Sequence, residues 1–168
     1  MIVSTKTFDV VKVKKAKKRY EFLSDDKIVG QLDFPKRYSK AALASAGDNK
    51  WQIRRTGWWK TYLEIESQQS PYTKWKVNQN WKGGLSIRTD DNKTYSLCRK
   101  GFWRTSWVWT NEKNEPVIEM RHCSWPSKKT SSITFAKIPD QHLVLLALAG
   151  WFVLICAQDE AAAAAAAA

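Results

Sequence analysis

The feature that most constrains the fold is an apolar stretch near the C-terminus, residues 143–157 (LVLLALAGWFVLICA). A helix formed by this stretch is apolar on every side, so it must be surrounded by protein or by lipid. At about 1.5 Å per residue it is roughly 22 Å long, which is shorter than the ~30 Å hydrocarbon core of a bilayer. The length favours a helix enclosed by its own protein, and a membrane anchor is the alternative.

The start of this helix is marked by Pro139 and Asp140. Proline cannot continue a strand ladder, and the aspartate carboxylate can accept hydrogen bonds from the first free N–H groups of a helix. We therefore predict a core helix over residues 140–157. Acids in residues 158–160 (QDE) oppose the helix dipole and predict fraying there. With the alanines that follow, we expect residues 159–168 to be a disordered or artificial poly-alanine tail.

The chain before the helix is typical of short β-strands. Apolar and polar residues alternate in segments such as 8–13 (FDVVKV), 28–34 (IVGQLDF) and 61–67 (TYLEIES), with turn residues between them. About twelve such segments follow one another at spacings of roughly 8 to 12 residues. A sheet of that many strands closes around a lumen wide enough for a helix about 10 Å across.

The helix can thus fill the lumen of the barrel, and the barrel can bury the apolar surface of the helix. We predict an all-β fold with one central helix: an antiparallel β-barrel of about twelve strands that encloses the hydrophobic C-terminal helix. Residues 1–158 are expected to form this single domain.

Charge is the strongest functional signal in the composition. The net charge is +12, which implies attraction to polyanions such as anionic lipid, nucleic acid or an acidic protein. Residues 12–19 (KVKKAKKR) are the densest basic run. The predicted anion- and lipid-binding residues are Lys12, Lys14, Lys15, Lys17, Lys18, Arg19, Lys36, Arg37, Arg54 and Arg55.

Trp58 and Trp59 are the predicted interfacial aromatic residues, because indole rings favour the membrane interface. The alternative for this pair is packing in the core or at a strand edge. Cys98, Cys123 and Cys156 lack the spacing of a zinc site or a disulfide framework. Free thiols, and no signal-peptide pattern after Met1, predict a cytoplasmic protein, peripheral at the membrane.

The order of elements, many strands followed by a terminal hydrophobic helix, resembles the tubby C-terminal-like superfamily of tubby proteins, phospholipid scramblases and LURP-one-related proteins. The local similarities are residues 20–22 (YEF) followed by 28–30 (IVG), and the Trp-rich strand pairs. The layout is most similar to the small LURP-one-related members. The resemblance implies the helix-filled barrel and, through tubby proteins, phosphoinositide binding, but no binding residue can be carried over one by one.

The chain departs from the scramblases within that superfamily. It has neither a Pro-rich N-terminal region nor a cysteine cluster for acylation. The Asp-rich turn at residues 90–92 lacks the calcium-loop pattern, because Tyr95 stands where the sharp-turn glycine belongs and Gly101 where the closing glutamate belongs. The sequence therefore does not indicate calcium binding.

Catalytic chemistry is not indicated. The histidines are His122 and His142, and adjacent strand residues such as His122 and Cys123 point to opposite faces, so they do not form a nucleophile–base pair. The alternation predicts that Glu64 and Glu66 lie on the solvent face. No phosphate loop, dinucleotide fingerprint or metal-ligand spacing is present. We expect no catalytic residues, no metal and no cofactor.

The sequence therefore favours a non-enzymatic, monomeric binding module for anionic membrane surfaces or phosphoinositide headgroups. Three alternatives stay open. Residues 99–104 (RKGFWR) suit single-stranded nucleic acid, which binds through phosphate contacts and base stacking. The barrel can be a scaffold that binds another protein. Residues 143–157 can be the anchor of a tail-anchored membrane protein.

Overall fold

The computed structural model describes residues 6–14, 18–36, 40–56, 62–70, 74–79, 84–100, 106–123 and 131–168. These residues form strands and one C-terminal helix. The elements are β1 (Lys6–Lys12), β2 (Arg19–Ser24), β3 (Lys27–Asp33), β4 (Ala41–Ala46), β5 (Asn49–Thr56), β6 (Tyr62–Ser67), β7 (Lys74–Gln79), β8 (Leu85–Arg88), β9 (Thr94–Lys100), β10 (Ser106–Thr110), β11 (Pro116–Arg121), β12 (Ser131–Phe135) and α1 (Gln141–Ala166).

The strands form a closed antiparallel barrel in which each strand pairs with its neighbours in sequence. The barrel closes where β1 pairs with β12, with Phe8 opposite Ile133 and Val10 opposite Ser131. Closure pairs β1 with β12, so that none of the described strands is left at an exposed sheet edge. The predicted all-β barrel with a C-terminal helix is confirmed.

Tight hairpins at one end of the barrel use residues that tolerate the left-handed backbone region. Asp25 and Asp26 have φ of 51° and 62°, Asn92 has 59°, Asn114 has 61° and Gly47 has 57°. Aspartate, asparagine and glycine are the residue types that adopt this conformation most readily. The sequence thus encodes the short connections that keep neighbouring strands in register.

The helix α1 fills the barrel and contacts β3 and β4 on one side and β10 and β11 on the opposite side. The Trp151 ring lies 6.4 Å from that of Tyr20 and 6.1 Å from that of Phe22, centroid to centroid. Phe152 stacks on Phe34 at 5.5 Å. The helix is long and apolar enough to cross a membrane. In its apolar 18-residue stretch, 67% of the residues are buried within the barrel. Enclosure by protein thus accounts for its composition.

The predicted N-cap is confirmed, whereas the C-terminal end differs from the prediction. The Asp140 carboxylate accepts a hydrogen bond of 2.9 Å from the Leu143 backbone N–H. The helix does not end at residue 157; it continues through residues 158–160 to Ala166. Asp159 and Glu160 form ion pairs with the barrel, and alanine has the highest helix propensity, which accounts for the helical conformation of residues 159–166.

The three cysteines are free thiols, as the sequence predicts. Cys156 is buried in the helix, and burial raises the pKa of its thiol to about 11. A thiol in this environment stays protonated at neutral pH, and the thiolate is the nucleophile in cysteine chemistry. Cys156 is therefore a packing residue.

Gly150 allows the helix to approach β10 and β11 closely. A Cβ atom at this position would lie 2.5 Å from Trp109 Nε1 and 2.6 Å from Met120 Cε, and both of those side chains are fully buried. We expect Gly150→Ala to destabilise the protein by about 1–3 kcal/mol, because overpacking outweighs the gain in helix propensity. Urea denaturation measures the loss.

Gly30→Ala is the matched control for that substitution. A Cβ atom at Gly30 would meet its nearest neighbour, the Ser45 carbonyl oxygen, at 3.5 Å, which is an ordinary contact. We expect a smaller loss of stability for this variant. A Gly150→Ala protein as stable as the parent would contradict the close approach of the helix to β10 and β11.

Candidate anion-binding site at one end of the barrel

The antiparallel topology sorts the connections into two groups, one at each end of the barrel. The helix starts at the end that carries the connections β2–β3, β4–β5, β6–β7, β8–β9 and β10–β11, where His142 lies against Trp75 with 5.7 Å between ring centroids. We call this the helix-start end. The helix leaves the barrel at the opposite end, beside the β1–β2 connection, where Asp159 pairs with Lys18. We call this the helix-exit end.

Charge is distributed unequally between these ends. At the helix-start end the described acidic residues of the connections are Asp25, Asp26, Asp48, Asp90, Asp91, Glu112, Glu115 and Asp140. When the terminal two residues of each strand at this end are counted as well, Glu66 joins the acids, and the basic residues are Lys6, Lys27, Lys50, Lys74, Arg88, Lys93, Lys113 and Lys137. The helix-start end therefore carries both signs of charge.

The helix-exit end is cationic. Its described basic residues, in the connections or among the terminal two residues of each strand, are Lys12, Lys14, Lys18, Arg19, Lys36, Lys40, Arg55, Arg99, Lys100 and Arg121. Among the barrel residues described by the same criterion, Asp33 is the acidic one. Two further acids, Asp159 and Glu160, come from the helix. Basic residues that are far apart in sequence thus share one end of the barrel.

Three of the predicted binding residues are exposed at the helix-exit end. Lys12 ends β1, Lys14 follows it in the β1–β2 connection, and Lys36 lies in the β3–β4 connection. Within the described parts of the chain, none of the three forms an ion pair. Their ammonium groups are available to an anionic partner. The predicted residues Lys15, Lys17, Arg37, Trp58 and Trp59 lie outside the described residues.

Lys18 differs from the prediction of an exposed patch, since its side chain is only 6% exposed. It continues the inward alternation of Tyr20 and Phe22 in β2, which turns it toward the lumen. Its ammonium pairs with Asp159 of the helix and lies 4.7 Å from the centroid of the Phe34 ring. An ion pair and a cation–π contact therefore stabilise this buried charge.

Arg54 and Arg55 are separated by the same alternation. Arg55 follows Trp51 and Ile53 on the inward face of β5 and pairs with Glu160 of the helix. Arg54 lies on the other face, where its Nη2 is 3.3 Å from Glu66 and 3.6 Å from Glu64 across the sheet. Both arginines, which the sequence predicted as anion-binding residues, are half-buried and form ion pairs within the protein.

Arg19 is also paired. Its Nε donates a hydrogen bond of 2.5 Å to Asp33 Oδ1, across the β2–β3 hairpin. This hydrogen bond and the charge of Asp33 raise the pKa of the Arg19 guanidinium above its ordinary value. The sequence prediction missed the role of Asp33 because register, not proximity in sequence, places it opposite Arg19.

His122 lies at the helix-exit end, between the barrel wall and the helix. Its Nδ1 is 2.8 Å from Gln158 Nε2, and its ring centroid is 5.7 Å from that of Trp151. Burial, with a smaller contribution from the charge of Lys12, lowers the pKa of His122 below its ordinary value of 6.5. The folded protein therefore favours the neutral imidazole.

A pH dependence of stability follows from His122. The unfolded chain binds a proton at this position near pH 6.5 and the folded chain does so at lower pH, so stability is retained above pH 6.5 and is lost as pH falls below it. We expect the melting temperature to decrease between neutral and mildly acidic pH. In His122→Gln, which keeps a polar side chain without titrating, the decrease should be smaller. An identical decrease in both proteins would contradict this role.

A cavity of about 260 Å³ lies at the helix-start end. Trp51 and Trp75 contribute to its apolar lining, and Ser67 and Ser70 to its polar lining. Asp90 gives this cavity a negative charge, which does not suit an anionic ligand. Among the described residues, no group of three His, Cys, Asp or Glu side chains could hold a metal ion.

Comparisons with protein-family models, curated proteins and solved structures return no match to this chain. The resemblance to the tubby C-terminal-like superfamily therefore stays a prediction from the order of elements. The observed geometry, a cationic end around the exit of the helix, is the basis for inferring function.

Proposed function

We propose that this protein is a non-enzymatic binding module that docks the helix-exit end of its barrel on an anionic membrane surface. The observation that carries the proposal is the segregation of charge, since the described connections at the other end carry acids and bases together. A Lys or Arg near an anionic surface contributes about 1 kcal/mol. Lys12, Lys14 and Lys36 together thus supply about 3 kcal/mol, before any contribution from the other basic residues.

The distribution of these cations suits a surface better than a strand of nucleic acid. Single-stranded nucleic acid binds in a groove where aromatic rings are free to stack on bases. In the segment that suggested such binding, the guanidinium carbon of Arg99 lies 4.7 Å from the centroid of the Trp107 ring and occupies that ring face. Residues 101–104 of the same segment lie outside the described residues.

Co-sedimentation with lipid vesicles tests the proposal. We expect the protein to pellet with vesicles that contain phosphatidylserine or a phosphoinositide, and not with phosphatidylcholine alone. High salt should release it, because the Debye length shrinks from about 10 Å at 0.1 M salt to about 3 Å at 1 M. Equal binding to neutral vesicles, or no binding to anionic vesicles, would overturn the proposal.

Two further arms of that experiment define the ligand. At equal surface charge, tighter binding to phosphoinositide than to phosphatidylserine would indicate a headgroup site, and equal binding would indicate general attraction to the surface. A single-stranded oligonucleotide that binds with a steep salt dependence, while vesicles do not bind, would move the assignment to nucleic acid.

A further inference from the structure

Residues 158–160 of the core helix place two carboxylates, those of Asp159 and Glu160, at the cationic end of the barrel. Asp159 pairs with Lys18, and Glu160 pairs with Arg55. The neighbouring Gln158 contacts His122, so three consecutive helix residues contact the barrel wall at this end. The burial of Tyr20, together with the charge of Asp159, raises the pKa of the Tyr20 hydroxyl to about 12.

These pairs differ from ordinary surface ion pairs in their burial. The Lys18 side chain is 6% exposed, and that of Arg55 is 27% exposed. Their carboxylate partners are more accessible, with 30% of the Asp159 side chain and 58% of the Glu160 side chain exposed. The two carboxylates are therefore more accessible to solvent than the cations with which they pair.

We propose that Asp159 and Glu160 are internal counter-ions that neutralise Lys18 and Arg55 and thereby limit the affinity of the helix-exit end for anionic membranes. This inference rests on the proposed function. An approaching anionic surface meets the exposed lysines Lys12, Lys14 and Lys36 as free charges. It gains Lys18 and Arg55 only where lipid phosphates replace the two carboxylates.

Neutralising the two acids tests the inference. If each basic residue contributes about fivefold to membrane affinity, Glu160→Gln should raise the vesicle partition coefficient about fivefold, and Asp159→Asn with Glu160→Gln about 30-fold. The probe is a vesicle of phosphatidylcholine and phosphatidylserine at low salt. Circular dichroism and thermal melting check the fold of each variant.

Asp26→Asn with Asp48→Asn is the matched control. Both residues are exposed in connections at the helix-start end, and their neutralisation changes the net charge by the same amount. Asn also tolerates the positive φ of Asp26. Since the Debye length is about 10 Å at 0.1 M salt, charges at the far end of the barrel are screened from the membrane. We expect the affinity of this control to equal that of the parent.

The outcomes separate the two proposals. If the parent binds anionic vesicles and the double variant binds no better than the control, the counter-ion inference is overturned and the proposed function stands. That result, with lower thermal stability, is what a purely structural role of the pairs predicts. If neither parent nor variant binds, both proposals are overturned. Binding by the double variant alone would overturn the proposed function of the unmodified protein and support the masking of Lys18 and Arg55 by the two acids.

Asp159→Asn removes the carboxylate partner of the buried Lys18 and therefore destabilises the protein. The single variant Glu160→Gln tests the inference without this loss. This variant keeps the pair between Lys18 and Asp159 and changes a side chain that is 58% exposed. If the double variant does not fold, the single variant must still bind vesicles about fivefold more tightly than the parent. Unchanged affinity in a folded Glu160→Gln protein would overturn the inference.

Discussion

The variant Leu148→Asp is expected to lose cooperative folding. Leu148 lies in the middle of the core helix with 1% of its side chain exposed. The substitution removes a buried leucine side chain, worth about 2–5 kcal/mol, and places a carboxylate without a partner in a dry interior, which costs several kcal/mol more. The sum is comparable to the whole stability of a domain, about 5–15 kcal/mol.

Far-UV circular dichroism and thermal melting check this expectation. The matched control is Ala164→Asp, which introduces the same charge into the same helix at a position that is exposed beyond the barrel. The control should melt close to the parent. Trp151→Asp, at a second fully buried helix position, should fail as Leu148→Asp does. A soluble Leu148→Asp protein with the melting temperature of the parent would contradict the enclosure of the helix.

The second large effect concerns membrane binding. The triple variant Lys12→Glu, Lys14→Glu and Lys36→Glu replaces the three exposed, unpaired cations among the predicted binding residues that the structure describes. Losing about 1 kcal/mol for each lysine lowers the vesicle partition coefficient by at least about 100-fold, and repulsion of the new carboxylates adds to this loss. Co-sedimentation with phosphatidylserine vesicles measures the effect. The fold should be preserved, because the three side chains are exposed.

The control for this experiment is a second triple variant, Lys27→Glu, Lys50→Glu and Lys113→Glu. These lysines are exposed at the helix-start end, and their replacement changes the net charge by the same amount. We expect this protein to retain most of its affinity, since the proposed docking directs the substituted end away from the membrane. Equal loss of binding in both triple variants would show that net charge, and not one end of the barrel, controls binding.

The architecture was predictable because two local patterns are consistent with each other. Apolar alternation predicts strands, and the apolar stretch predicts a helix that needs enclosure. The alternation of inward and outward side chains also indicates which basic residues face the lumen, and the prediction of a basic patch did not use this. Lys18 shares the inward parity of Tyr20 and Phe22, and Arg55 shares that of Trp51 and Ile53, so both were identifiable as inward-facing.

The partners of those residues were less accessible to sequence reasoning. Lys18 and Asp159 are 141 positions apart, and only the path of the helix through the barrel brings them together. The location of Lys40, Lys100 and Arg121 was likewise less accessible to sequence reasoning. The strand topology, and not a basic run in the sequence, places them at the cationic end. Acids that follow an apolar helix in a strongly basic chain were the available signal, and they were interpreted as a fraying end.

Hydrogen exchange of the unmodified protein, free and bound to phosphatidylserine vesicles, tests the central claim most directly, because it shows which end of the barrel docks. We predict slower exchange on binding for the amides of residues 13–14, 18–19, 34 and 36, at the helix-exit end. Residues 24–27, 46–49 and 89–93, at the helix-start end, should be unchanged. Protection at the helix-start end, or equal protection at both ends, would contradict the account.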